Sequence, residues 1–126
     1  MKISILVLFV FIFSIGVVFA GDECQNPKTS YDRTYCMAKL FMESDNELNA
    51  VYKELKSSLK KDLQQKLTEV QREWIKYRDG ACESSGTIDV KCNYDVNRAR
   101  TEFLRDRLRE CKTGHCREDL IAQKSW

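Results

Sequence analysis

The chain has 126 residues, 43% of them hydrophobic, with 21 Lys and Arg against 19 Asp and Glu for a net charge of +2. These averages cover two unlike pieces, because residues 1–20 hold 16 apolar residues and a single charge, Lys2. The other 106 residues, near +1 and about 36% apolar, suffice for one modest core and lack the basic excess of a dedicated nucleic-acid binder or a polybasic membrane patch.

The first 20 residues read as a secretory signal peptide. A basic start, an unbroken apolar run from Ile5 to Phe13 and a Val18-Phe19-Ala20 exit before Gly21 favour cleavage over retention as an anchor helix. Gly21, Asp22 and Glu23 ahead of Cys24 are not the small apolar set of a bacterial lipoprotein. Residues 21–126 are therefore expected to be a single exported domain, periplasmic or secreted, with no stable membrane anchor and a short C-terminal tail.

Within that domain the single proline is Pro27, and no glycine follows it until Gly80, so a long stretch is free of breakers. Asn26-Pro27 or Ser30 would open a first helix, with Asp32 favourably placed in its first turn. Leu48, Tyr52, Leu55, Leu59, Leu63, Leu67, Val70 and Trp74 then recur at steps of three and four, a helical stripe. The stripe keeps its phase and is compatible with one long helix. Asp62 with Gln65, directly after Lys60-Lys61, nevertheless reads as a capping box and predicts a break near residue 61.

Folding back at 61.5 brings Asp45 level with Arg78, Asn49 with Trp74 and Tyr52 with Gln71. Two readings of these pairs stand: an ion pair and hydrogen bonds that fix the register, or a functional polar groove. The second helix should end at Gly80–Cys82, before the polar loop Glu83–Thr87. Asn93 or Asp95 would cap a third helix carrying Val96, Ala99, Phe103, Leu104 and Leu108. Its Arg98, Arg100, Arg105, Arg107 and Arg109 alternate with Glu102, Asp106 and Glu110, the pattern of a solvated face. The tail with Leu120, Ile121 and Trp126 is either docked or loose.

All six cysteines follow the signal segment, an even number that predicts three disulfides in an exported chain. Each would contribute about 2–4 kcal/mol. Cys111 and Cys116 are near enough to close a local loop, and Cys82 with Cys92 would clip the loop between the second and third helices. The competing zinc site, Cys111, His115 and Cys116, lacks a fourth ligand, so no metal is expected. The fold class is all-α: a small disulfide-stapled bundle of about three helices built on an antiparallel hairpin.

Two ordered motifs carry a resemblance: Asp45-x-Glu47-Leu48-Asn49-x-x-Tyr52, and Gln71-Arg72-x-Trp74-Ile75-x-Tyr77-Arg78-Asp79-x-x-Cys82. With Cys24 and Cys36 before them, and Cys92 and Arg100-Thr101-x-x-Leu104 after, they resemble the lysozyme-inhibitor LprI-like family over about Cys24 to Leu108. The resemblance implies a small exported helical bacterial domain and, for some members, inhibition of lysozyme. Its four cysteines correspond to Cys24, Cys36, Cys82 and Cys92, leaving Cys111 and Cys116 as additions. The namesake's lipid anchor has no counterpart here.

Enzymatic chemistry has little to work with. The only histidine is His115, and the pair Glu43 and Glu47 is of a kind that helix surfaces supply constantly. No phosphate loop or dinucleotide motif points to a cofactor. The sequence is thus read as a non-enzymatic binding protein whose expected partner is a protein such as a lysozyme, blocked at its sugar cleft. Motif residues Asp45, Asn49, Tyr52, Gln71, Trp74, Arg78 and Arg100 are the candidate site, Arg78 and Asn49 being suited to engage catalytic carboxylates, with the exposed Ser84–Thr87 loop as the other option. The alternative is an envelope- or host-facing interaction module without lysozyme activity, in which the same residues hold the bundle together.

Overall fold

The computed structural model describes Cys24 and residues 26–126; the segment read as a signal peptide lies outside the described residues. Its elements are helices α1 (Ser30–Ser58) and α2 (Lys61–Cys82), two-residue strands β1 (Glu83–Ser84) and β2 (Thr87–Ile88), then α3 (Val90–Lys112) and the single turn α4 (Glu118–Ile121). The fold is all-α apart from that small hairpin.

Helix α1 is capped by Thr29, one residue before Ser30. The Thr29 hydroxyl accepts from the Asp32 amide at 3.0 Å, and the Asp32 carboxylate accepts from the Thr29 amide at 3.0 Å. This reciprocal pair satisfies two free donors at once, an advantage that neither Asn26-Pro27 nor Ser30 has.

At the other end Ser57 and Ser58 turn their hydroxyls back onto the carbonyl oxygens of Glu54 and Leu55, at 2.8 and 2.7 Å. Leu59 and Lys60 are then extended. The corner needs no glycine, because Leu59 and Leu63 bury on either side of it and the Gln64 side-chain Nε2 donates to the Leu59 carbonyl at 2.9 Å. The break falls two residues before Asp62, so Asp62 lies inside the first turn of α2. Lys60, which has no side-chain cap bond, holds the capping position instead.

Helix α3 likewise begins earlier than Asn93 or Asp95. The Asp89 carboxylate accepts from the Cys92 amide at 2.9 Å and caps the helix.

The three long helices run up, down and up. Asn97 meets Ser44 and Asp45, while further along Lys112 meets Glu54, so α1 and α3 are parallel. Helix α2 is antiparallel to both, through Tyr52 with Thr68 and Arg100 with Gln71. The closest packing is between α1 and α3, where the short side chains of Ser44, Asn97 and Thr101 are buried and allow the backbones to approach. Toward the corner the core becomes apolar: Leu48, Val51, Leu55, Leu63, Leu67, Trp74, Leu104 and Leu108 pack as one cluster.

Three disulfides staple this bundle. Cys24–Cys36 ties the chain ahead of α1 to its second turn, Cys82–Cys92 closes the hairpin onto the start of α3, and Cys111–Cys116 reverses the chain after α3. The last pairing takes up both thiols of the Cys111-His115-Cys116 set. It also lets α4 return, and Ile121 enters the core with 1% of its surface exposed. The tail is therefore docked.

Non-reducing peptide mapping should recover these three pairs. Ile121→Ala should lower stability in urea by about 2–4 kcal/mol, the cost of a core truncation. A change within about 0.5 kcal/mol would mean that α4 does not hold the bundle.

Candidate functional site

At the end of the bundle away from the α1–α2 corner, one residue from each long helix converges. Arg78 Nη1 donates to Asp45 Oδ1 of α1 and to Asn97 Oδ1 of α3, each at 3.2 Å. Its Nε and Nη2 donate to Asp79 Oδ1 at 3.0 and 2.9 Å. Asn97, fully buried, turns its amide toward Ser44 Oγ at 3.3 Å and Asp45 Oδ1 at 3.4 Å. The Arg78 side chain is only 15% exposed, so it is bound into the bundle and presents little to a partner.

One turn toward the corner lies a second polar layer. Trp74 is buried, and two guanidinium groups lie against its ring: Arg78 at 5.5 Å and Arg100 at 5.8 Å from the centroid. Arg100 Nε donates to Gln71 Oε1 at 3.0 Å, and Arg100 is 3% exposed. This corrects the expectation that the α3 arginines form one solvated face. Arg98 and Arg109 are exposed, whereas Arg100 points inward with Asn97, Thr101 and Leu104. Desolvation lowers its pKa to about 10, which still leaves it charged at neutral pH.

Of the three level pairs expected from a pivot at 61.5, Asp45–Arg78 is hydrogen-bonded as a pair, and Asn49, Tyr52 and Gln71 bond elsewhere. The Tyr52 hydroxyl meets Thr68 Oγ1 at 3.1 Å, and Gln71 is occupied by Arg100. Asn49 is exposed and donates to Asp45 Oδ2 of its own helix at 3.2 Å. The real corner at Leu59–Lys60 shifts the register by about one turn, and only the long reach of Arg78 spans the difference.

The Ser84–Thr87 segment is more ordered than a loop. Glu83 pairs with Ile88 and Ser84 with Thr87 in an antiparallel ladder. Ser85 and Gly86 both have positive φ, 51° and 77°, as a tight two-residue hairpin turn requires. The Thr87 hydroxyl donates to the Ser84 carbonyl at 2.6 Å, and the Asp89 amide to the Cys82 carbonyl at 2.9 Å. With Cys82–Cys92 at its base, the hairpin is a braced protrusion whose residues are all exposed. The cue in the sequence is Ser85-Gly86 between Cys82 and Cys92. Beside its base, a cleft of about 700 Å³ runs between the starts of α1 and α3, lined by Arg33, Met37, Leu40, Val90 and Tyr94.

A family model described as Lysozyme inhibitor LprI matches residues 22–104, a span that includes both polar layers, the hairpin and four of the six cysteines. The chain belongs to this family. No curated protein and no solved structure gives a match. The LprI-family region ends at Leu104, so Cys111–Cys116 and the docked Ile121 lie beyond it. No described helix is long and apolar enough to cross a membrane.

The network predicts a contrast between two motif residues. Arg78→Ala leaves Asp45, Asp79 and Asn97 without their shared donor and should cost about 2–4 kcal/mol in urea unfolding. Asn49→Ala removes an exposed contact within one helix and should change stability by less than about 0.5 kcal/mol. Equal effects would remove Arg78 from its structural role.

Proposed function

We propose that this protein is an exported lysozyme inhibitor that works by occluding the enzyme's sugar cleft, with the Glu83–Ile88 hairpin as the inserting element. The observation that carries this reading is the braced protrusion itself. Disulfide and turn geometry fix its shape before binding, so little ordering cost is left to offset the contacts made. Family membership supplies the target class.

Arg78 is a poor candidate for reaching a partner's carboxylates, since Asp45 and Asp79 already hold it. The hairpin offers other chemistry. Ser84 and Ser85 present hydroxyls that can bond carboxylates as a saccharide's hydroxyls do, and Ile88, 59% exposed, adds an apolar contact at the base. A mature charge near +1 gives little long-range attraction to a basic lysozyme, so affinity rests on local fit. Glu83 supplies negative charge beside Ile88 at the base.

One observation favours a second reading. Tyr31, Tyr35 and Met42 lie exposed along the first four turns of α1. Such a face suits an envelope- or host-facing interaction module without lysozyme activity.

The test is turbidity loss of a peptidoglycan cell suspension under a chicken-type lysozyme, with and without the oxidised mature protein. Dose-dependent protection that disappears on reduction is expected. Ile88→Asp should weaken it about tenfold or more with unchanged melting, the signature of a contact residue. Undiminished protection by Ile88→Asp together with Ser85→Asp would move the contact off the hairpin. No protection against chicken-, goose- and invertebrate-type enzymes would leave the second reading.

A further inference from the structure

Arg100 differs from every other arginine that makes a contact in the bundle. Its Nη1 and Nη2 are buried and have no hydrogen-bond partner among the described residues, and no carboxylate pairs with it. Aromatic rings surround it instead: Phe103 at 5.0 Å, Trp126 at 5.6 Å and Trp74 at 5.8 Å from Cζ to the ring centroids. Ring faces attract the positive charge of a guanidinium, but its N–H groups still require acceptors when removed from water. Gln71 provides one acceptor, for Nε. The two terminal nitrogens remain as a fork, the geometry that matches the two oxygens of a carboxylate.

The same side chain lines a cavity of about 150 Å³ with Trp74, Tyr77, Val96, Phe103 and Trp126. That volume is below the range of drug-sized pockets, and an apolar cavity of roughly this size admits a single benzene ring. The other guanidinium groups against these rings, Arg78 on Trp74 and Arg107 on Phe103, are paired with Asp45, Asp79 and Glu110, so Arg100 is left as the uncompensated charge facing the cavity.

One wall is also a cover. Trp126 is 38% exposed and packs against Tyr77 with ring centroids 6.2 Å apart. Beyond α4, its segment is held by an ion pair between the exposed side chains of Lys124 and Glu73 and by a turn bond from the Gln123 amide to the Leu120 carbonyl. Exposed ion pairs contribute little, so this segment is displaceable while Ile121 stays docked.

We infer that Arg100 and the aromatic side chains around it form a binding site for a small carboxylate carried on a flat or apolar body, with the Ser125–Trp126 segment as its removable cover. The inference does not depend on lysozyme inhibition, and its test contains no lysozyme.

Sodium benzoate and the uncharged benzyl alcohol are titrated into the oxidised mature protein, followed by calorimetry and by the indole N–H signals of Trp74 and Trp126. Saturable one-to-one binding of benzoate is expected, shifting both indole signals, with benzyl alcohol about tenfold weaker or worse, because it lacks the charge that the fork recognises. Trp126→Ala, at an exposed position, should bind benzoate about threefold or more tightly, since no cover has to move. Arg100→Met should abolish binding. Should that variant fail to fold, the comparison of benzoate with benzyl alcohol and the Trp126→Ala result still decide. Absence of saturable benzoate binding, equal binding of benzyl alcohol, retained binding in a folded Arg100→Met protein or weaker binding in Trp126→Ala would each overturn the proposal.

Discussion

Arg78 is the constraint on which the bundle's register depends. From Leu48 to Val70 the apolar stripes on α1 and α2 place a leucine or valine at nearly every turn, and such stripes accept a slide of one turn with small loss of buried area. A guanidinium that must meet Asp45 on one neighbour and Asn97 on the other accepts one alignment only. Sliding either helix would strand a mostly buried charge, which costs far more than a misplaced leucine. The polar layer thus selects among packings that the leucines alone leave nearly equal.

Fixing that layer also fixes what lies beyond it. Asp79 follows Arg78 directly, α2 ends at Cys82, and α3 starts at Val90 under the Asp89 cap. The hairpin occupies six of the seven residues between helix ends that the Arg78 network and Cys82–Cys92 hold together. A two-residue ladder is too short to be stable alone. Its shape is inherited from the helices beneath it, so the motif residues and the exposed surface are coupled although the motif side chains are mostly turned inward. Recognition is better sought on the hairpin than among the residues that support it.

The helices, the fold-back and the local cysteine pairs were legible because they depend on spacing, which the sequence displays directly. The caps were less so. The capping positions are Thr29, Lys60 and Asp89 and not the nearby Ser30, Asp62 and Asn93, and the reciprocal Thr29–Asp32 pair, the burial of Leu59 and the position of Cys82–Cys92 decide between them. The Tyr52–Gln71 pair failed because a corner displaced by two residues carries every partner along with it, and Gln71 was already taken from α3. Arg100 departs from the charge pattern for a different reason. Judged by charge alternation it belongs with Arg98 and Arg109; judged by position it falls on the face of Asn93, Asn97, Thr101, Leu104 and Leu108, all buried. That face begins polar and becomes apolar only at Leu104, so a search for apolar periodicity settles on Val96 and Phe103 beside it.

Trp74 joins the two arginine environments and shows how unlike they are. From one of its neighbours, Arg78, the charge passes into two carboxylates and an amide, a closed set of bonds that fixes helix positions. From the other, Arg100, a single bond runs to Gln71, and the rest of the guanidinium meets only rings. Register is already secured by the first, so the bundle does not need a second buried cation for that purpose, and a methionine-length apolar side chain would fill the position without desolvating a charge. Keeping an arginine there, under a tryptophan held by weak surface contacts, is better explained by a ligand that completes its bonds than by stability alone.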